Sequence, residues 1–167
     1  PPFVVSAREA GRFVDDLNEI RDALGGQPGR VVFIHYPYSD IGSGVSVDAL
    51  LDAYRRLAEA CRVTGAICIL GGQQPVEAFT REAEARQIEL EARAEAVLGS
   101  RFLPLYRHFQ SEAPSRRLMV PLDSGDGRLV NHEGHRVLFE LYRRRLIEMG
   151  KMAGAGDGAA RPGSTAR

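Results

Sequence analysis

The sequence predicts an α/β fold, with a parallel sheet and helices packed on both of its faces. Three observations carry this. Short apolar runs rich in β-branched residues alternate with longer segments whose apolar residues recur every three or four positions. Clusters of glycine and proline separate the two kinds of segment. The chain has 167 residues, the length of one ordinary domain, and a fold of that size buries roughly 70% of its unfolded surface. Alternating helix and strand elements build a parallel sheet, because each helix returns the chain to the same end of the sheet.

The elements follow in order. Ala10, Phe13, Leu17, Ile20 and Leu24 recur at helical spacing, with Asp15, Asp16, Glu19, Arg21 and Asp22 between them, which predicts a helix near 8–24. Gly25–Gly29 (GGQPG) ends it. Val31–Pro37 (VVFIHYP) reads as a strand buried on both faces, and Tyr38–Gly44 (YSDIGSG) as a loop of turn-forming residues. Ser46 caps a helix with Val47, Leu50, Leu51, Tyr54, Leu57, Ala58 and Cys61 on one face. Ala66–Leu70 is the second strand, and Gly71–Pro75 (GGQQP) the loop after it. A charged helix from about Glu77 to Leu98 carries Phe79, Ala83, Leu90, Ala94 and Val97 as a thin apolar stripe, with its glutamates and arginines facing solvent. Arg101–Tyr106 is a weaker strand because Pro104 cannot donate to a ladder. A loop centred on Pro121–Gly127 leads to a last helix over 131–149, and residues 150–167 form a disordered Gly/Ala-rich tail after the domain of residues 1–149.

Composition excludes several classes. Lys+Arg 22 against Asp+Glu 22 leaves no net charge to draw the chain to nucleic acid or an anionic membrane. No apolar run is long enough to span a bilayer, and the opening PPFVVSAREAG lacks the pattern of a signal peptide, so the expectation is a soluble protein of unassigned compartment. Cys61 and Cys68 fit neither a disulfide scaffold nor a zinc cluster, and read as small buried hydrophobes. The glycine loops at 42–44 and 71–72 lack the companions of a phosphate cradle, so no nucleotide cofactor is expected.

In a parallel α/β sheet the chemistry lies beyond the carboxyl ends of the strands. That directs attention to Tyr38–Gly44, Gly71–Pro75 and Tyr106–Asn131. The richest stretch is Asp123–His135 (DSGDGRLVNHEGH). Asp123, Asp126, His132 and His135 are legitimate metal ligands, and the two histidines stand three apart on the incoming helix. The same residues serve equally in a hydrolytic acid–histidine pair. In the structural alternative the aspartates shape a glycine turn, Asn131 caps the helix and the histidines are exposed. No nucleophile elbow is present, and Ser39, Ser43 and Ser124 are loop serines. His35, inside the most apolar strand, reads as a core or near-core histidine. Arg143, Arg144 and Arg145 spread around a helix end and favour its dipole.

Pro121–His135 resembles the final block of the SGNH/GDSL hydrolase family, which in one branch reads D-S-G-D-G-(I/V)-H-L-N-(D)-x-G-H before the last helix. The likeness continues through RVLFEL. Upstream, YPYSDIGSG is similar to the family's third block, and LGGQQP to its T-x-Q-P loop, so the resemblance covers about Pro2 to Met149. It implies a three-layer, flavodoxin-like α/β/α fold lacking the family's first strands, and hydrolysis of acyl or acetyl esters, often on carbohydrates or lipids. Carried over by position, the family's acid falls on Asp126, its histidine base on Leu129 and its oxyanion asparagine on Ser39, followed by the matching Asp40. The serine of the G-D-S block and the glycine of the second block would precede Pro1.

Leucine cannot accept a proton, and loss of a general base removes a factor of about 10²–10⁴. One lost oxyanion donor is worth roughly 3–4 kcal/mol. Three readings follow. The first is a degenerate domain, hydrolase by ancestry and inactive as this chain. The second is a working esterase completed by an N-terminal segment or a partner, with His132 as a relocated base. The third is a module that holds an acyl or sugar group without turnover. The resemblance further implies that Asp126 and Ser39 share one crevice, made drier by Leu129. It also implies that the Val31–Pro37 edge, without its usual neighbour, self-associates or takes an N-terminal partner.

Overall fold

A computed structural model of the chain describes residues 31–35, 38–112 and 117–156. The helix expected near 8–24 lies outside the described residues. A three-stranded parallel sheet runs in the order β1 (Val31–His35), β2 (Ile67–Gly71), β3 (Phe102–Leu103). Val31 pairs with Ile67 and His35 with Gly71, while Leu70 and Gly71 pair with Phe102 and Leu103. The expected parallel sheet in sequential order is therefore present.

Successive side chains of a strand point to opposite faces, so β2 splits its apolar residues between two cores. Cys68 and Leu70, with Ile34 of β1, pack against Leu50, Leu51, Tyr54 and Leu57 of α2 (Val47–Thr64) and Leu90 and Ala94 of α3 (Arg81–Leu98). On the other face Ile69, Leu103, Leu105 and Phe109 meet Tyr142, Leu138 and Leu141 of α5 (His132–Gly156). The architecture is three layers, α/β/α.

Local chemistry sets both ends of α2, the first by the expected Ser46 cap. Ser46 Oγ accepts the Ala49 N–H at 3.3 Å, and Gly65 closes the helix in the left-handed region at φ 70°. Its buried face is the set read from the sequence plus Ala53.

Elsewhere tertiary packing overrides the local reading. The described part of β1 is Val31–His35, and Val31 and Phe33 remain 39% and 40% exposed among the described residues, so this part is not buried on both faces. His35 has exposed surface among the described residues, yet it is desolvated and bonded to Gln74, in keeping with the near-core position read from the sequence. Tyr38–Gly44 is not a plain loop: α1 (Tyr38–Gly42) makes one helical turn, with Ser43 N–H donating to the Ser39 carbonyl and Ile41 fully buried. Burial of that isoleucine offsets the turn-forming character of its neighbours.

α3 begins at Arg81, later than expected, because Thr80 Oγ1 accepts the Ala83 N–H. β3 keeps only two residues. After Pro104 the chain turns into the short helix α4 (Tyr106–Phe109). α5 continues to Gly156, past the expected end at Met149. The two cysteines are buried as read, but they form a disulfide. Seven positions apart, they are brought together when the last turn of α2 folds back onto β2. No described helix is long and apolar enough to cross a membrane.

Candidate functional site

Three segments meet at the carboxyl edge of the sheet: α1 after β1, residues 71–80 after β2, and the turn 119–131 before α5. The β2 loop is the hinge between the others. Its Glu77 N–H donates to the Gly127 carbonyl at 2.8 Å, and Gln74 Nε2 donates to the Arg128 carbonyl at 2.8 Å. Gly127 has φ 65°, and a Cβ there would lie 2.8 Å from Glu77 Cβ, so glycine permits the two loops to touch.

Asp123 and Asp126 shape that turn. Asp123 Oδ1 accepts the N–H groups of Gly125 and Gly127. Asp126 Oδ1 accepts from Ser124 Oγ at 3.0 Å, Arg128 N–H at 2.9 Å and Leu129 N–H at 2.8 Å. These bonds, led by the Leu129 and Arg128 N–H groups, hold the Asp126 carboxyl below the ordinary aspartate value. Leu129 is 53% exposed among the described residues, so it does not seal a dry crevice as expected. Asn131 caps α5 as expected. Its Oδ1 accepts the Gly134 N–H at 3.0 Å, and its Nδ2 donates to the Pro121 and Asp123 carbonyls at 2.9 Å each.

His132 opens α5 on an exposed position, and no hydrogen bond joins it to Asp126 or Ser39 among the described residues. His135 is also exposed, its Nδ1 3.0 Å from the Asn131 carbonyl. Among the described residues no three His, Cys, Asp or Glu side chains group as metal ligands. His35 hydrogen-bonds the Gln74 side chain; it is exposed by surface yet ringed by protein atoms. Desolvation lowers its pKa, the Gln74 bond opposes this, and the His135 charge adds to the fall.

Ser39 lies on α1, and its hydroxyl is buried without a hydrogen-bond partner among the described residues. It lines a cavity of about 340 Å³ with Gly42, Ala78, Phe79, Thr80 and Ala83. Asp40 beside it is fully buried. Both Ser39 and the 123–130 turn thus abut the 71–80 loop, Ser39 through Ala78 and Phe79, the turn through Gln74 and Glu77.

The sequence reading missed the side chains that hold this edge together. Glu91, assigned to solvent with the other glutamates of α3, is only 6% exposed. Its carboxyl accepts the N–H of Gln73 at 3.0 Å and of Tyr106 at 3.0 Å, which ties the β2 loop to the β3 loop. Desolvation pushes its pKa up to about 8, against the pull of these N–H groups and of Arg107. A Cβ on Gly72 would overlap that carboxyl. Gln87, one turn earlier, donates to the Gln73 and Gln74 carbonyls. The signal was present: Gln87 and Glu91 fall in register with Ala83, Leu90 and Ala94 on the buried stripe.

With this edge and the three layers in view, solved structures supply a match. A GDSL-like lipase of Bacteroides thetaiotaomicron superposes with a TM-score of 0.66 at 17% identity, over 83% of this chain and 72% of that one. The fold is SGNH/GDSL-like. A protein of Bacteroides fragilis assigned as an acylhydrolase matches equally, with a TM-score of 0.66, 17% identity, and 83% and 71% of the two chains covered. A carbohydrate esterase family 3 protein of Talaromyces cellulolyticus gives 0.58 and 15%, over 84% and 69%. No protein-family model matches the chain, and no curated protein matches it by sequence. At these identities the SGNH/GDSL likeness is one of fold.

Proposed function

We propose that this is an SGNH/GDSL-type, esterase-like domain that does not hydrolyse esters as this chain. The observation that carries the reading is the turn 126–129. At the position that matches the family's base stands an exposed leucine, and the Asp126 oxygen that would orient an imidazole is engaged by the turn's own N–H groups. A hydrolase needs a group that takes the nucleophile's proton, and Leu129 has none to offer. Ser39, at the oxyanion position, presents a hydroxyl where the family has an amide, a shorter reach toward a developing oxyanion.

The test is turnover of p-nitrophenyl acetate by the purified chain. We expect a rate indistinguishable from the protein-free reaction. Turnover that vanishes on Ser43→Ala, Asp126→Ala or His132→Ala would overturn the reading and favour an active esterase with His132 as base.

The cavity beside Ser39 supports a ligand-holding role. Phe79, Ala78 and Ala83 offer apolar wall, beside Ser39, Gly42 and Thr80. That wall suits a short acyl chain. Short-chain acyl amides, which resist hydrolysis, should raise the melting temperature of the wild type in a dose-dependent way. They should leave a Phe79→Ala variant unmoved; equal shifts in both would place binding elsewhere.

A further inference from the structure

Both cysteines of the chain are consumed in one bond. Cys61, in the last turn of α2, and Cys68, inside β2, form a disulfide with Cα atoms 6.1 Å apart, and the described residues contain no free cysteine. They are 2% and 4% exposed and belong to the core layer that also holds Leu57, Ala58 and Leu70. We propose that this bond is a permanent structural crosslink, and that the protein matures in an oxidising compartment.

Burial decides between a structural bond and a redox-active one. Reactive cysteines sit in partly exposed, electropositive surroundings where a second thiol can reach a sulfur. These sulfurs lie between α2 and the central strand, among aliphatic side chains. The position also separates the bond from the candidate site. Cys68 is the second residue of β2, whereas the Gly71–Gln74 segment that forms the site lies at its other end. The crosslink therefore clamps the turn from α2 into β2.

A glutathione-buffered cytosol keeps such a pair as dithiol. Forming the bond removes two electrons and two protons from the two thiols. The electrons pass to the disulfide of a thiol–disulfide exchange protein, which leaves as a dithiol after a mixed-disulfide intermediate. Because both sulfurs are closed off once α2 lies on β2, that exchange must occur on the folding chain. The crosslink is independent of whether the domain turns over esters.

The experiment compares the full chain made by an oxidising secretory route with the same chain made in a reducing cytosol. Each is unfolded in guanidinium with N-ethylmaleimide and weighed. The exported protein should take up no label until it is reduced, and then two; two labels without reduction would overturn the crosslink. Dithiothreitol should reduce the native protein at least about tenfold more slowly than the unfolded one, since the sulfurs open only with the fold. Equal rates would overturn its permanence. The reduced wild type and a Cys61→Ala/Cys68→Ala variant should melt about 5–10 °C below the oxidised protein. Should the variant fail to fold, the reduced wild type still decides, because a melting temperature equal to that of the oxidised form would overturn the structural role, and a disulfide already formed in the cytosol-made protein would overturn the compartment assignment.

Discussion

Glu91 is the residue on which the carboxyl edge turns. A carboxyl 6% exposed, accepting N–H groups from two loops, is costly to ionise because burial disfavours the charge. Its pKa is raised to about 8, above the ordinary glutamate value of 4.5. The sign follows from proton counting: the folded state holds this proton over a range where the unfolded state has released it. The contribution is fully present below about pH 4.5 and is lost as pH rises through about 8. Urea unfolding at pH 5, 7 and 9 should show stability falling by an amount on the order of a few kcal/mol from this group. Glu91→Gln, which cannot ionise, should flatten that slope. An unchanged slope in the variant would assign the pH dependence to other groups.

At the scale of elements, the caps differ in what they hold. Ser46 makes one exposed capping bond, so Ser46→Ala should cost about 0.5–1 kcal/mol. Asn131 caps α5 and also bonds two carbonyls of the preceding turn, which binds helix and loop into one unit. Asn131→Ala removes all three bonds and should cost about 2–3 kcal/mol, read as a shift in the urea midpoint. Equal costs for the two variants would show that the turn holds its shape without Asn131. The 123–130 turn, closed by Asp123 and Asp126, explains why a stretch rich in carboxylates and histidines has no convergent donor set among the described residues.

For the whole molecule the exposed strand matters most. Among the described residues β1 is an edge of the sheet, with Val31 and Phe33 well exposed and the Phe33 ring 4.7 Å from that of Tyr142. Unpaired strand edges with apolar side chains are sites of association. We expect the isolated chain to self-associate through this edge, or to cover it with an N-terminal partner segment. Size-exclusion chromatography with light scattering, beside hydrogen exchange over residues 31–35, checks this. A strict monomer with slow exchange throughout β1 would show that the edge is already covered.

The order of strands and helices, the buried face of α2, the Ser46 and Asn131 caps and the parallel sheet were legible in the sequence. Each rests on local rules: a period of 3.6, a capping side chain, an apolar run between glycines. The block from Pro121 to His135 pointed to the fold only through its resemblance to the SGNH/GDSL family, and its turn is closed almost wholly by its own side chains. What stayed hidden depended on partners distant in the chain or in a different element. Ile41 makes a helix of a turn-like segment because a core lies beneath it, Glu91 is buried because two loops need its oxygens, and Cys61 meets Cys68 because α2 folds back on β2. Spacing along the chain can mark such residues as sharing a face, but only the packed structure determines what that face meets.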